Sequence, residues 1–207
     1  MTLVKICGIN DAAGFDEAVS AGADFVGFVF FPPSPRAMSP VQAAALSARA
    51  IGGPKRVGLF VNPDDAAIAD VLAAIPLDAL QLHECTIART AEIAARFGVP
   101  VWRAIGVSVA TDLPAEAHAD LVMLDAKAPK NATRPGGNAA VFDWSVLAGW
   151  HAPGPWMLAG GLTADNVATA IKMTAAPVVD VSSGVESAPG VKDPARIRAF
   201  VRAAKAA

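Results

Sequence analysis

The sequence predicts an α/β fold: a single (β/α)8 barrel spanning residues 1–207. Three observations predict it. Eight short apolar runs recur along the chain, each followed by a Gly, Pro or polar break and then a helical stretch, most of them rich in Ala. The runs are near-continuous rather than alternating, as expected of parallel strands buried on both faces. The turn after the first run, Cys7-Gly8-Ile9-Asn10-Asp11, holds one glycine. An open doubly wound sheet would be favoured by a Gly-rich fingerprint there. Eight strand–helix units in about 200 residues match a minimal barrel, and the length suits one domain.

The elements follow in order. Strand one, residues 3–6, ends in Cys7; alternation puts Lys5 and Cys7 on one face and Val4 and Ile6 on the other. A helix is expected at 12–21. Strand two, 25–30, leads through Pro32-Pro33-Ser34-Pro35-Arg36 to a helix at 40–51, for which Ser39-Pro40 is an N-cap and N1 pair. Strand three, 56–61, precedes a helix at 64–74. Strand four, 79–82, runs into His83 with Gln81 on the same face, before a helix at 87–97. Strand five, 101–105, contains Arg103; the helix expected at 113–119 is limited by Pro114 to about two turns. Strand six, 121–124, ends in Asp125, with Lys127 just beyond and a helix expected at 145–150. Strand seven, 156–159, ends in Gly160-Gly161 before a helix at 165–174. Strand eight, 178–181, carries Asp180 and runs into Ser182-Ser183-Gly184. Asp193-Pro194 starts the last helix, 194–206.

Composition narrows the function. The chain is 54% apolar and 17% charged, so it buries a core. A net charge of −2 gives no basic field for nucleic acid, so an anionic ligand must be held by local groups. Two cysteines, Cys7 and Cys85, read as free thiols in a reducing compartment. Met1 leads straight into strand one, so no signal peptide is expected, and every apolar run is broken before membrane-spanning length. The expectation is a soluble cytoplasmic protein without a membrane partner. The three histidines show no ligand spacing, so no metal is expected.

Active sites of such barrels sit at the C-terminal ends of the strands. Reading only those ends collects Cys7, Arg36, Gln81, His83, Arg103, Asp125, Asp180 and the turns at Gly160-Gly161 and Ser183-Gly184. Glycines after strands seven and eight let a ligand approach backbone N–H groups, and a helix N-terminus there would favour a phosphate. Each residue alone has an ordinary reading: a buried thiol, a turn aspartate, a core histidine, a surface arginine. Their common rim argues for a site.

At this level of detail the chain resembles the phosphoribosylanthranilate isomerases of tryptophan biosynthesis. The matches run from Lys5-Ile6-Cys7-Gly8 through Ser34-Pro35-Arg36, Gly58-Leu59-Phe60-Val61-Asn62, Leu80-Gln81-Leu82-His83 and Leu124-Asp125 to Phe142-Asp143-Trp144. They close with Leu158-Ala159-Gly160-Gly161-Leu162, Asp180-Val181-Ser182-Ser183-Gly184-Val185-Glu186 and Lys192-Asp193. The resemblance implies a TIM barrel performing a cofactor-free Amadori rearrangement, an intramolecular aldose–ketose isomerisation. It implies a phosphorylated amino-sugar substrate, Cys7 as general base, Asp125 as general acid and Arg36 at the anthranilate end. Gln81, His83 and Asp180 fall among the substrate-binding positions, and Gly160, Gly161, Ser183 and Gly184 hold the phosphate. A monomer or homodimer is expected. Glu84 stands where the family usually has Gly, and Ala139 replaces a Gly of the loop after strand six.

The chemistry sets opposite demands on the two groups. The acid must hold its proton, and an ordinary aspartate near 3.9 would not at neutral pH. Burial against an anionic substrate would raise it. The thiol must lose its proton, which a nearby cation favours. Lys5 is the candidate cation; its alternative role is an interior ion pair with Asp180. Two other readings stay open from the residues alone. One is a different phosphate-binding barrel enzyme, an epimerase or synthase. The other is a non-catalytic binding protein that keeps the phosphate site.

Overall fold

The computed structural model describes residues 1–128, 136–137 and 142–207. Ala139 lies outside the described residues. Eight parallel strands close into a barrel in sequence order: β1 Leu3–Cys7, β2 Phe25–Val29, β3 Lys55–Val61, β4 Ala79–His83, β5 Val101–Val107, β6 Leu121–Ala126, β7 Trp156–Leu158 and β8 Val178–Val181. Closure pairs β8 with β1 and sets Asp180 opposite Lys5.

Strand alternation sorts the side chains into two apolar layers. Val4, Ile6, Phe28, Leu80, Val122 and Leu124 face outward and pack beneath the helices. Phe25, Val57, Trp102, Met123, Met157 and Val178 face inward and fill the barrel. Phe25 and Trp102 meet edge-on, their ring centroids 5.2 Å apart. Fully burying a side chain such as Phe28 contributes about 1.5–3 kcal/mol, so both layers hold the strands in register. Toward the C-terminal ends the inward positions turn polar: Lys5, Gln81, His83, Asp125 and Asp180. Apolar packing thus supports the polar rim from below.

Among the described residues, six α-helices cover the outside: α1 Ala12–Ser20, α2 Pro40–Ser47, α3 Asp65–Ala74, α4 Ile87–Phe97, α5 Val167–Thr174 and α6 Pro194–Lys205. Their starts use the expected chemistry. Ser39 and Gln42 form a reciprocal capping box for α2, and Asp193 accepts from Ala195 and Arg196 to start α6. Gly98, at φ 63°, ends α4. None of these helices is long and apolar enough to cross a membrane.

Two expected helices are absent. Residues 113–119 are not helical; a 3-10 turn, Ala110–Asp112, precedes them. Asp112 closes that turn by accepting from the Ser108 and Val109 N–H groups, which hold its carboxyl down at about 2. Pro114 supplies no N–H, and its carbonyl accepts from the Trp150 indole at 3.1 Å instead of from a helical amide. The helix expected at 145–150 shrinks to a 3-10 turn, Trp144–Leu147, because Gly149 takes φ 76° just after it. Trp150 and Trp156, edge to face at 5.4 Å, pack beside this shortened segment. Helix α2 also stops at Ser47, short of the expected 51, and leaves Ile51 exposed. One element was not expected: an antiparallel hairpin after β8, β9 Glu186–Ala188 with β10 Val191–Lys192.

Candidate active site

Two adjoining cavities open at the C-terminal ends of the strands. One is bounded by Cys7, Arg36, Gln81, His83 and Asp125, with apolar walls from Val29, Leu59 and Met123. The other lies against the turns after β7 and β8. Asp125, Gly136, Gly137, Asp180 and Ser182 border both, so one ligand can span them.

Cys7 ends β1 directly opposite Gly27 of β2. A Cβ at Gly27 would stand 3.0 Å from the Cys7 sulfur and 3.1 Å from Lys5 Nζ. The glycine makes room for both. Lys5 is fully buried and its ammonium lies 2.8 Å from Asp180 Oδ1, so the interior ion pair forms. Burial opposes the Lys5 charge, but Asp180 and then Cys7 outweigh it and hold its pKa above the ordinary lysine value. Burial also pushes the Cys7 thiol up. Lys5 and Lys192 pull against that shift, Asp180 adds to it, and the net direction is upward. Lys5 therefore moderates the thiol's pKa without bringing it below the ordinary value.

Asp125 projects from β6 on the same face as Met123. Burial, reinforced by the nearby negative charge of Asp180, raises its carboxyl to about 7; the Ala126 N–H and Lys5 act in the opposite sense. The Ala126 N–H donates to Asp125 Oδ1 at 2.8 Å. Lys127 does not pair with Asp125; its ammonium reaches Asp112 at 3.3 Å. Gly136 closes over the carboxyl, where a Cβ would come within 2.9 Å of Asp125 Oδ2.

Gln81 and His83 share the inward face of β4, and the Gln81 amide nitrogen donates to His83 Nε2 at 2.8 Å. Burial, and secondly the charge of Lys5, lower the imidazole to about 3, so His83 is neutral at physiological pH. That hydrogen bond fixes the proton on Nδ1. The Gln81 carbonyl oxygen is buried without a partner among the described residues.

Arg36 is buried rather than a free cation on a loop. Its Nε and Nη2 pair side-on with the two oxygens of Glu186, at 2.7 and 2.8 Å. Nη2 also donates to the Gly137 carbonyl at 3.3 Å. Gly8, at φ 74°, lets the Arg36 stem cross it, because a Cβ there would strike Cδ. Arg103 falls outside the site. It faces outward from β5 and donates to the Ala117 carbonyl at 3.3 Å.

The second cavity is walled by backbone. The N–H groups of Gly160, Gly161, Ser183 and Gly184 donate to no acceptor among the described residues. Gly160 sits at φ 90°, and a Cβ there would meet the Ala126 nitrogen at 2.5 Å. Gly161 sits at φ 62°. Gly184 must lack a side chain for a different reason, since a Cβ would strike the Leu162 carbonyl across the turn. The turn after β8 is a three-residue 3-10 segment, and α5 begins at Val167, past the glycines. Amides without an acceptor among the described residues, rather than the first turn of a long helix, line this cavity. Among the described residues there is no group of three His, Cys, Asp or Glu able to hold a metal ion.

A model of the N-(5'-phosphoribosyl)anthranilate (PRA) isomerases matches residues 4–203. The chain belongs to the N-(5'-phosphoribosyl)anthranilate isomerase family. It is 58% identical over 208 residues to the N-(5'-phosphoribosyl)anthranilate isomerase of Paracoccus denitrificans, covering 98% of this chain and 97% of that one. Monomers generated from a dimeric phosphoribosylanthranilate isomerase of Thermotoga maritima superpose with a TM-score of 0.82 at 37% identity over all of both chains. A phosphoribosylanthranilate isomerase solved in complex with reduced 1-(o-carboxyphenylamino)-1-deoxyribulose 5-phosphate gives a TM-score of 0.84 at 35% identity, again over all of both chains. These isomerase relatives share the eight-stranded barrel, and the present chain is an isomerase of the same kind.

Family membership and geometry together show what sequence reading missed. Gly27, Glu186 and Lys192 all shape the site. Glu186 and Lys192 belong to motifs that carried the resemblance, so their position was visible and their role was not. Glu84, which the resemblance sets against a glycine, adopts φ 56°. The left-handed backbone explains why glycine suits that position.

Proposed function

We propose that the isomerisation of N-(5'-phosphoribosyl)anthranilate to 1-(2-carboxyphenylamino)-1-deoxyribulose 5-phosphate runs here on Asp125 as acid and Cys7 as base. The observation that carries this reading is Asp125. Its carboxyl is held near 7 by burial beside Asp180, at the border of the two cavities. Near neutral pH it keeps enough proton to act as an acid, which an ordinary aspartate would not. Asp125 protonates the ring oxygen; the C1–O bond breaks, and the anilino nitrogen lone pair forms the C1=N iminium. The Cys7 thiolate then removes the C2 proton, and the C2–H electrons form the C1=C2 bond of the enolamine as the iminium is neutralised. Transfer of the enol proton to C1 gives the ketone.

The phosphate is held by the amides of Gly160, Gly161, Ser183 and Gly184, whose N–H groups have no acceptor among the described residues, which supports this role. Arg36 serves the anthranilate carboxylate through the part of its guanidinium that Glu186 does not engage. Neutral His83, oriented by Gln81, donates toward the sugar from Nδ1. Asp180 reaches the substrate side while its Oδ1 holds Lys5. Residues 1–207 act as one catalytic domain in the cytoplasm, as a monomer or homodimer, with no cofactor in the steps above. Rescue of a tryptophan auxotroph lacking this isomerase, by wild type but not by Asp125→Asn, is the test. Rescue by Asp125→Asn would overturn the acid assignment.

A further inference from the structure

The strongest unassigned feature is a buried chain of charges that starts at Arg36 and leaves the substrate cavity. Glu186, at the start of the hairpin, takes Nε and Nη2 of Arg36 on its two oxygens at 2.7 and 2.8 Å. Its Oε1 also accepts from Lys192 Nζ at 2.8 Å, and its Oε2 accepts from the Gly190 N–H at 3.2 Å. Lys192 in turn donates to the Ser182 carbonyl at 3.0 Å, within the turn that borders both cavities. The side chains of Arg36, Glu186 and Lys192 are at most 4% exposed. A surface ion pair is worth little, whereas a buried one stripped of a partner leaves an uncompensated charge. A carboxylate bracketed by two cations fixes both of them.

We infer that Glu186 is the positioning residue of the substrate carboxylate site: it sets the plane of the Arg36 guanidinium and, through Lys192, ties that plane to the Ser182 turn. The geometry explains why Arg36 does not swing. A guanidinium gripped side-on by one carboxylate has a fixed plane, and its remaining edge meets a ligand in one orientation. The hairpin is then part of the site, since it carries both Glu186 and Lys192. The Arg36 chain also joins the anthranilate end of the ligand to the turn bordering the phosphate end.

This inference rests on Arg36 binding the substrate carboxylate, so the experiment tests the two separately. KM and kcat are measured for Arg36→Met, Glu186→Gln and the double variant. Glu186→Gln is expected to raise KM about tenfold, the scale of one charged hydrogen bond, with a smaller change in kcat. The double variant is expected to show the KM of Arg36→Met alone, because Glu186 acts only through Arg36. If Arg36→Met leaves KM unchanged, the reading of Arg36 fails. If Arg36→Met raises KM and Glu186→Gln does not, or if the two effects multiply, Glu186 has no positioning role and the inference falls. Should Glu186→Gln not fold, Glu186→Asp keeps the charge, shortens its reach and carries the same cycle. Effects of Glu186→Asp and Arg36→Met that multiply would equally overturn it.

Discussion

The two cavities are built on different principles. The one around Cys7 and Asp125 is a set of ionisable side chains whose protonation is set by burial and by each other. The one against Gly160 and Ser183 is built mainly of backbone amides, with Asp125 and Asp180 standing where it meets the first. The first therefore depends on charge and pH. The second depends most on the absence of a side chain at Gly160 and Gly184. Chemistry and anchoring can then be broken separately, and the expected effects run from very large to small.

Cys7→Ala breaks the chemical half most completely. It should abolish turnover and leave product affinity within several-fold, because the thiol moves a proton and does not anchor the ligand. A variant with wild-type kcat would remove Cys7 from the mechanism.

Asp125→Asn comes next. Its kcat should fall at least about 100-fold, the low end for a positioned general acid, with phosphate affinity little changed. Stability should move in the unexpected direction. The folded carboxyl titrates at about 7, above its ordinary value. The stabilisation it gives is complete below the unfolded pKa and is lost as pH rises through about 7. Asparagine does not ionise, so Tm of the variant should match or exceed wild type at pH 8 and lose that advantage at pH 4. A Tm deficit at both values would show that the carboxylate is structural.

The pH profile sharpens the same half. Catalysis needs Asp125 protonated and Cys7 ionised, yet burial places the acid near 7 and the thiol above its usual value. The working form is a minority, and it grows with pH until Asp125 titrates. Accordingly kcat/KM should climb about tenfold per pH unit below about 7, level off, and fall only as the thiol ionises. His83, lowered to about 3, adds no limb in this range. A decline beginning at pH 7 would show that the thiol is already ionised there.

Gly160→Ala probes the amide half. The new carbon meets the Ala126 nitrogen on a residue already at φ 90°. KM and stability should worsen together, by about 1–3 kcal/mol of backbone strain, with kcat nearly intact. A fall in kcat at unchanged KM would contradict the division of labour.

The smallest change lies outside both cavities' chemistry. Glu84→Gly relieves a left-handed non-glycine residue and should raise stability by up to about 1 kcal/mol without changing kcat. A loss of activity would mean that the Glu84 side chain serves the site.

Much of this was legible in the sequence because strand alternation is local. Alternation placed Lys5 with Cys7 and Gln81 with His83 on shared faces and set Asp125 at the end of strand six; the closed barrel turned those faces inward. N-cap chemistry located the starts of α2 and α6. The helix expected at 113–119 failed because propensity counts an Ala-rich stretch without knowing where its carbonyls go. Pro114 gave its carbonyl to Trp150, 36 residues away.

Local pattern was thus enough for the barrel, its eight strands and the residues that share a face, but not for Arg103, which alternation turns outward from β5. The tertiary structure alone decided their states: Lys5 paired with Asp180 across the closing seam, Asp125 held near 7, and Arg36 gripped by Glu186 150 residues away. The physical reason is range. Periodicity is written over neighbouring residues, whereas burial and Coulomb interactions depend on distances that exist only after the barrel closes.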